Sequence, residues 1–439
     1  MTAIAPPDLA MGNLLDAEAA TITFTDLGLP ITIATPNYVR HKQGESTIIA
    51  YRFDVSGGGI THGYAHWCAR PERADDVFAK AISLRPRDTV LGSGVLRVDK
   101  HTVLYGLPND ARLRQLRWFT DPRKLKRSMA TLAAPGERIS ARASESEILR
   151  YKPERRVVCR VSIGNAQGDT QDVLVRYTTK PHAAKLHRVV DLLRERGVAA
   201  PAPRAMLEDG RVSIDEFIPG VVLREAIDRR DVEPAAVADA VLRLHHVFAS
   251  NDERAGLAAG LDTRTADDEL ERTRRGLDGL TSLRPQLAGL SGLVAAALTR
   301  TVPDGVAPNT GYAVLHGDLH SKNVMVNEGA VTAIDLERVA FGPAEIDLGF
   351  FRAHALARPI RAGVSSFGCG PFTDDVIDAY CSNGGRLAAA PLAWHTAVGL
   401  IDQALLTVRH LEPNADRKGS DLLARALSLL LTKTEKRNR

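Results

Sequence analysis

The chain has 439 residues, of which 44% are hydrophobic and 25% are charged, so it is long enough for two globular cores, and two domains are expected. Its net charge of +4 suits a protein that binds an anionic ligand such as a nucleotide, but it is too small to indicate nucleic-acid binding by itself. Because the sequence has no apolar stretch of membrane-spanning length and no secretory signal pattern at its start, we expect a cytoplasmic protein with no membrane or nucleic-acid partner.

The chain begins with a segment of weak periodicity and continues with an α+β region. Residues 1–20 include Pro6 and Pro7 and are predicted to form a loose tail. Short β-prone runs and helical patterns alternate through residues 21–136, which are predicted to form an N-terminal cap region. The predicted elements of this region are strands at 46–55, 63–69, 95–98 and 102–104, and helices at 111–119 and 122–133.

Residues 137–220 predict a small antiparallel sheet with one helix. A basic turn at 151–156 joins two β-prone runs, and a third run follows. The apolar residues of 181–197 recur with helical spacing, and Gly197 stands where a helix C-cap belongs. A hairpin is predicted around Glu208-Asp209-Gly210.

Residues 221–439 are predicted to be mainly helical, and one polar stretch, VLHGDLHSKNVMVNEGAVTAIDLERV at 314–339, interrupts the helices. Its β-prone runs predict short strands, with Asp318 and Asn323 in one loop and Asp335 at the end of a strand. Phosphoryl transfer requires a carboxylate that orients or deprotonates the attacking hydroxyl, and oxygen ligands that hold Mg²⁺. The interval of five residues from Asp318 to Asn323 is that of kinase catalytic loops.

Four motifs of this region resemble the aminoglycoside phosphotransferase and choline kinase group: HGDLHSKN at 316–323, IDLE at 334–337, Gly342-Pro343 and Asp347-Leu348. The resemblance extends from about residue 144 to the C-terminus. It implies an α+β, protein-kinase-like bilobal fold, with an antiparallel-sheet N-lobe at 137–220 and a helical C-lobe at 221–439. It also implies ATP or GTP as the phosphoryl donor and Mg²⁺ as the cofactor.

The resemblance assigns a role to each motif residue. Asp318 would be the catalytic base, and Asn323 and Asp335 would bind Mg²⁺. His316 would brace the catalytic loop from within, and Asp347 would hold that loop by hydrogen bonds.

Further residues are implied on the nucleotide side. Arg176, in the strand VLVR, stands where the family has a phosphate-binding Lys, and Arg can grip phosphate through two hydrogen bonds. A solvated strand residue is the alternative interpretation. The segment Glu216-Phe217-Ile218 resembles the hinge that binds adenine through its backbone.

Two features depart from the family pattern. The turn at 151–156 is not rich in glycine, so Lys152, Arg155 and Arg156 either supply side-chain charge to the phosphates or form a solvated basic turn. The helix after VLVR has no Glu at 185–188, so the acid that would pair with Arg176 is unassigned.

The acceptor side is the least constrained part of the sequence. The candidate residues are His320, Glu337, Asp374, Asp375 and Trp394. Acidic residues would suit a cationic amino sugar or aminoglycoside, although PFTDDVIDAY is also an ordinary amphipathic helix with a solvated acidic face. The aromatic residues do not cluster into a cage for a quaternary ammonium, so choline ranks below a sugar or amino sugar. A choline, ethanolamine or homoserine-type kinase is a further alternative.

The resemblance thus predicts an ATP- and Mg²⁺-dependent kinase that phosphorylates a hydroxyl of a small molecule. The N-terminal region resembles, in position, the extra N-terminal caps of bacterial maltokinases and glucosamine kinases. The alternative is a nucleotide-binding pseudokinase that acts as a regulator or scaffold, which the altered turn and the absent helix Glu favour. The presence of both a base and metal ligands opposes that alternative. The sequence does not predict the oligomeric state.

Overall fold

The computed structural model describes ten parts of the chain: residues 9–42, 44–114, 116, 127, 130, 139–165, 170–248, 261–304, 312–363 and 369–432. The chain divides into two compact units. Unit 1 comprises Met1–Ala184, Pro203–Phe217 and Arg409–Pro413, and unit 2 comprises Lys185–Ala202, Ile218–Val408 and Asn414–Arg439.

The first sheet of unit 1 is antiparallel and has five strands in the order β1-β2-β3-β5-β4. Its core is aromatic, with Phe24, Tyr51 and Phe53 in edge-on and stacked contact. The helices and strands of this part are α1 (Leu9–Leu15), α2 (Ala17–Asp26), β1 (Ile31–Lys42), β2 (Ser46–Val55), β3 (Ile60–Cys68), α3 (Pro71–Ser83), β4 (Val95–Arg97) and β5 (Thr102–Gly106).

The prediction of a loose tail over residues 1–20 is wrong for residues 9–20, which are helical. Asp16 caps α2 by accepting a hydrogen bond from the backbone N–H of Ala19 at 2.9 Å. Met11 and Leu14 are buried in the core of the first sheet. Burial of these two side chains stabilises a helix that is too short to form alone.

The second sheet of unit 1 is also antiparallel, with the order β6-β7-β8-β10-β9. Its strands are β6 (Ile139–Lys152), β7 (Arg156–Asn165), β8 (Thr170–Thr178), β9 (Pro203–Leu207) and β10 (Val212–Glu216). Val157, Cys159, Val161, Val173, Val175 and Ile214 form the centre of its core. The sheet and the hairpin at 208–210 confirm the predictions for this part of the chain. The helices predicted at 111–119 and 122–133 lie largely outside the described residues.

Helix α4 (Ala183–Glu195) confirms the predicted helix after β8. Gly197 ends it with φ +83°, a backbone conformation that glycine adopts without strain. The backbone N–H of Gly197 donates to the Arg194 carbonyl, and that of Val198 donates to the Leu193 carbonyl.

Unit 2 is mainly helical and contains two three-stranded sheets, β11-β14-β15 and β12-β16-β13. The helices are α5 (Leu223–Arg229), α6 (Pro234–His245), α7 (Ala266–Leu283), α8 (Ala288–Arg300), α9 (Glu345–Ala362), α10 (Cys369–Ser382), α11 (Ala389–Arg409) and α12 (Ala415–Leu431). The strands are β11 (Val221–Val222), β12 (Asp262–Thr263), β13 (Tyr312–Leu315), β14 (Val324–Asn327), β15 (Ala330–Ala333) and β16 (Ala340–Pro343).

Helix α9 has no counterpart among the predicted elements, and it packs tightly against α11. A Cβ atom on Gly349 would lie 2.6 Å from the Cβ of His395, and one on Gly399 would lie 2.5 Å from the Cβ of Ala353. Glycine at these two positions therefore allows the helix backbones to approach closely. The close approach fixes α9, whose first turn carries Asp347.

The structure has the predicted α+β class: antiparallel sheets in the N-terminal half and a mainly helical remainder. Among the described residues, no helix is both long and apolar enough to pass through a lipid bilayer.

Candidate active site

The polar stretch forms the loop between β13 and β14 and the turn after β15. Gly317 adopts φ +76°, and a side chain there would collide with the backbone carbonyl of Arg338. Glycine is therefore required at this position, both for its conformation and for the close approach of the two loops. The carboxyl group of Asp318, the next residue, is half-buried.

Asp347 fixes the start of the loop that carries Asp318. Its carboxylate accepts the backbone N–H of His316 at 2.6 Å and that of Gly317 at 2.9 Å. The ring of His245 lies 3.2 Å from the same carboxylate, and the ring of His316 contacts the Ile334 carbonyl at 2.9 Å. Burial raises the pKa of Asp347, but contacts with His245 and His316 outweigh it, so the pKa is lowered and the carboxylate stays charged.

Asn323 ends the loop and connects it to the next one. Its Nδ2 donates to the Asp318 carbonyl at 3.0 Å, and its backbone N–H donates to the His320 carbonyl at 2.8 Å. Its own carbonyl accepts the backbone N–H of Ile334 at 2.9 Å, which places the two loops side by side. Because Nδ2 is engaged in this way, the amide oxygen Oδ1 is the atom left for a ligand.

Asp335 follows Ile334 and has a left-handed backbone conformation, with φ 60° and ψ 46°. This conformation is uncommon for a residue with a side chain and marks a locally constrained turn. The chain then forms a 3-10 turn over Leu336–Arg338. The structure thus gathers Asp318, Asn323 and Asp335 on two neighbouring loops, as their sequence positions predicted; their chemical roles remain predictions.

Three arginines lie around the loop that carries Asp318. Arg338 Nη1 is 3.7 Å from Asp318 Oδ1, and Arg264 Nη1 donates to the Gly317 carbonyl at 2.7 Å. Arg264 and Arg272 both bind the buried carboxylate of Glu269. Burial raises the pKa of Glu269, but the two guanidinium groups outweigh it and lower the pKa.

The predicted acceptor residues His320 and Glu337 lie on these loops. The ring of His320 packs on that of His354, with centroids 4.4 Å apart. Burial lowers the pKa of His320 to about 4, so the ring is neutral at pH 7. Glu337 is half-buried within the 3-10 turn.

The other acceptor candidates lie elsewhere. Trp394 is 2% exposed, and its indole N–H donates to the Leu298 carbonyl at 3.1 Å, so its expected contact with an acceptor is wrong: the side chain belongs to the helical core. Asp374 and Asp375 are on the exposed face of α10, and Asp374 forms an ion pair with Arg352 at 3.0 Å. The interpretation as a solvated acidic face fits this placement.

The predicted nucleotide residues Arg176 and Glu216 lie on strands of the second sheet in unit 1. Arg176 is 4% exposed and is the register partner of Ser213 on β10. The buried Asp215, two residues further along, accepts a hydrogen bond from Ser213 at 2.8 Å. Residues two apart on a strand share a face, so Asp215 lies on the same side of the sheet as Arg176. Asp215 is thus a candidate partner for Arg176 that lies on β10 and not on the helix where the family pattern has its acid.

Phe217 and Ile218 continue the chain from Glu216 into the segment before β11. The guanidinium of Arg160 lies over the Phe217 ring at 4.9 Å. Phe217 belongs to unit 1 and Ile218 belongs to unit 2. The boundary between the units therefore falls within the predicted hinge.

The turn between β6 and β7, at residues 152–156, contains one acidic residue, Glu154, and its side chain is buried. Glu154 adopts φ 57°, and its carboxylate binds Arg40 at 2.9 Å and lies 3.2 Å from His66. Its backbone N–H donates to the buried carboxylate of Asp110 at 2.9 Å. The N-terminal region therefore anchors the turn, a connection that the sequence did not reveal.

The basic residues of the same turn differ in placement. Arg155 is exposed at the tip, and Arg156, the first residue of β7, is half-buried. Neither placement distinguishes a phosphate-binding role from a solvated basic turn, and both residues remain candidates.

Residues 136–392, more than half of the chain, match the family described as the phosphotransferase enzyme family, APH. No curated protein matches the chain.

Three solved structures resemble this chain to the following extent. A macrolide 2'-phosphotransferase from Brachybacterium faecium is 16% identical, and the alignment covers 71% of this chain and 98% of that one, with a TM-score of 0.42. A choline/ethanolamine kinase family protein from Mesorhizobium loti is also 16% identical, with 65% and 88% covered and a TM-score of 0.42. An ethanolamine kinase from Plasmodium vivax is 15% identical, with 71% and 89% covered and a TM-score of 0.46.

Proposed function

The chain belongs to the phosphotransferase enzyme family, and from this membership we propose that it uses ATP and Mg²⁺ to phosphorylate a hydroxyl group of a small molecule. A sugar-like acceptor ranks first. The observation that carries the proposal is the arrangement of Asp318, Asn323 and Asp335 on two adjoining loops, tied by the hydrogen bond from Asn323 to the Asp318 carbonyl and by the backbone bond between Ile334 and Asn323.

Asp318 would orient the acceptor hydroxyl and receive its proton. The hydroxyl oxygen forms a bond to the γ-phosphorus while the bond from that phosphorus to the β-bridging oxygen breaks, and ADP leaves. The proton passes to the Asp318 carboxylate and then to solvent. Positioning and electrostatic stabilisation supply most of the rate in such a transfer, which agrees with the several hydrogen bonds that fix this loop.

The donor set around Asn323 and Asp335 fits Mg²⁺. An amide oxygen and a carboxylate are hard ligands of the kind that Mg²⁺ takes from a protein, with water and nucleotide phosphates completing the coordination. Among the described residues, no group of three His, Cys, Asp or Glu side chains could hold a metal. When bound, the ion neutralises charge that develops on the phosphates.

Arg176 would contact the nucleotide phosphates, and Asp215 would be the acid that orients it. Both are buried and lie on one face of the second sheet of unit 1. Backbone groups of Glu216–Ile218 would bind the adenine. Supplying GTP in place of ATP, with GDP release as the readout, tests the nucleotide preference.

A pseudokinase is the second candidate, and the inward anchoring of Glu154 favours it. A turn that is fixed by Arg40 and Asp110 is less free to close over phosphates than a glycine-rich one. Binding of nucleotide without Mg²⁺, together with no transfer to any acceptor, would support that candidate.

The test is ADP release from ATP and Mg²⁺ with a pooled panel of sugars, amino sugars, aminoglycosides, choline, ethanolamine and homoserine. Asp318→Asn is expected to lower acceptor-dependent release by about 10²–10⁴-fold, the range for a positioned base. Asp375→Asn, on the exposed face of α10, is the matched control and should retain the activity. Equal activity in Asp318→Asn would contradict the proposal.

A further inference from the structure

The charges around Asp318 restrict the kind of acceptor that fits. Arg338 Nη1 is 3.7 Å from the Asp318 carboxylate, a distance too long for a hydrogen bond. The Arg338 side chain is 61% exposed. Among the described residues, its guanidinium is therefore held by charge attraction only, and its N–H groups can donate to a ligand beside Asp318.

A second group of charges lies beneath the same loop. Arg264 Nη1 donates to the Gly317 carbonyl at 2.7 Å, and its Nε donates to Glu269 at 2.8 Å. Glu269 also binds Arg272, whose Nη1 is 3.6 Å from Asp402. This group of Arg264, Glu269, Arg272 and Asp402 is called the arginine cluster.

The acids around Arg272 keep its guanidinium charged. Burial lowers the pKa of Arg272, but Glu269 first, then Asp402 and Asp318, raise it above the ordinary value. The side chain of Arg272 is 37% exposed, but the two guanidinium groups of the arginine cluster face two carboxylates, so the cluster carries no net charge. Arg338 is therefore the arginine whose charge an acceptor beside Asp318 meets.

The acids of the cluster do little to attract an amine. Glu269 is 2% exposed and is bound by two guanidinium groups, so a ligand cannot reach it without displacing them. Asp402 already faces Arg272. The acids that the sequence suggested for a cationic acceptor, Asp374 and Asp375, lie on the exposed face of α10, where Asp374 pairs with Arg352.

We propose that the acceptor is a polyhydroxylated molecule that is neutral or carries an anionic group, and that polycationic acceptors are disfavoured. This inference rests on the proposed function and specifies its substrate class. Arg338 donates hydrogen bonds to acceptor hydroxyls or to a carboxylate, for which the planar guanidinium is suited. A ligand ammonium would instead meet the like charge of Arg338 beside Asp318.

The test compares acceptors that share a ring and differ in charge: glucose, glucuronate, N-acetylglucosamine and glucosamine, with maltose and kanamycin as larger neutral and polycationic members. ADP release that depends on Asp318 is measured for each. We expect kcat/KM for the best neutral or anionic member to exceed that for the best cationic member at least tenfold at low salt. Added salt should reduce the difference, because it screens charge.

The variant Arg338→Ala then tests whether Arg338 causes the preference for neutral or anionic acceptors. We expect the KM for the acceptor to rise about tenfold, an effect typical of a lost charged hydrogen bond, while the KM for ATP changes less than twofold. Arg338→Lys should restore part of the loss for an anionic acceptor. Arg352→Ala, which removes a surface arginine of the same unit, is the control and should match the wild type.

The outcomes separate the two proposals. Transfer that is confined to glucosamine or kanamycin, or an Arg338→Ala variant that prefers the same acceptors to the same degree, overturns the inference on substrate class and leaves the kinase assignment intact. Absence of Asp318-dependent transfer to every member contradicts the proposed function itself, and the inference with it.

Discussion

The side-chain amide of Asn323 donates a hydrogen bond to the backbone carbonyl of Asp318 at 3.0 Å. The bond closes the loop between the proposed base and the proposed metal ligand. It also orients the amide so that Oδ1 is the free acceptor. One side chain thereby fixes the backbone that carries Asp318 and presents a ligand atom.

Replacing Asn323 should therefore impair both positioning and metal use. We expect Asn323→Ala to lower kcat by about 10²-fold, since small displacements of a reacting group have effects of this size. Asn323→Asp keeps an oxygen ligand but loses the donor to Asp318, so its Mg²⁺ requirement should change less than its kcat. Titration of activity with Mg²⁺ separates the two effects. A normal Mg²⁺ dependence in Asn323→Ala would contradict the assigned metal role.

The buried carboxylate of Asp347 should make the stability of the chain sensitive to acid. Its pKa is lowered in the folded state, so it stabilises the fold at pH values above the ordinary carboxyl pKa, and this contribution is lost as the pH falls through the lowered pKa. Asp347→Asn should destabilise the fold by about 1–3 kcal/mol at pH 7, because one of the N–H groups of His316 and Gly317 loses its acceptor and the other keeps only an uncharged one.

Urea unfolding between pH 3 and pH 7 measures this linkage. The difference between the wild type and Asp347→Asn should shrink toward the acid end of the range. A difference that is constant over the whole range would show that the ionised form of Asp347 does not contribute.

The ion pair of His66 and Glu154 should make the fold less stable as the pH rises, which is the opposite of the trend expected from Asp347. Burial lowers the pKa of His66, but the neighbouring Cys68 and Glu154 side chains outweigh it and raise the pKa to about 9. Stability from a raised histidine pKa is complete below pH 6.5 and is lost as the pH rises through 9. A shift of this size corresponds to about 3 kcal/mol at most.

Thermal unfolding between pH 6 and pH 10 tests this prediction. The melting temperature of the wild type should fall across the range, and that of His66→Gln should fall less. Identical pH profiles in the wild type and His66→Gln would exclude a contribution from the His66 charge.

Arg176 and Asp215 should behave as a coupled pair. Asp215→Asn is expected to raise the KM for ATP severalfold by loosening Arg176, and Arg176→Lys should raise it more because an ammonium loses the two-point grip on phosphate. In a double-mutant cycle, the effects should be smaller in combination than their sum. Strict additivity of the two effects would show that Asp215 does not position Arg176.

The sequence alone predicted the features that depend on short separations along the chain. Short β-prone runs separated by turns indicated the strands of the second sheet, and the spacing of Asp318, Asn323 and Asp335 indicated two adjoining loops. These patterns succeed because side-chain direction and turn geometry repeat over a few residues. Gly197 at the end of α4 was predictable for the same reason.

Only the tertiary structure decided the contacts that join distant residues. Asp347 binds the backbone at His316 from 31 positions away, and Glu154 meets Arg40 across 114 positions. The helical start of the chain depends on a sheet that buries Met11, and Trp394, which looked available to a ligand, is instead in a core of helices. Burial and ion pairing depend on which surfaces the folded chain brings together. Local periodicity reflects only neighbours along the chain, so it does not predict these long-range contacts.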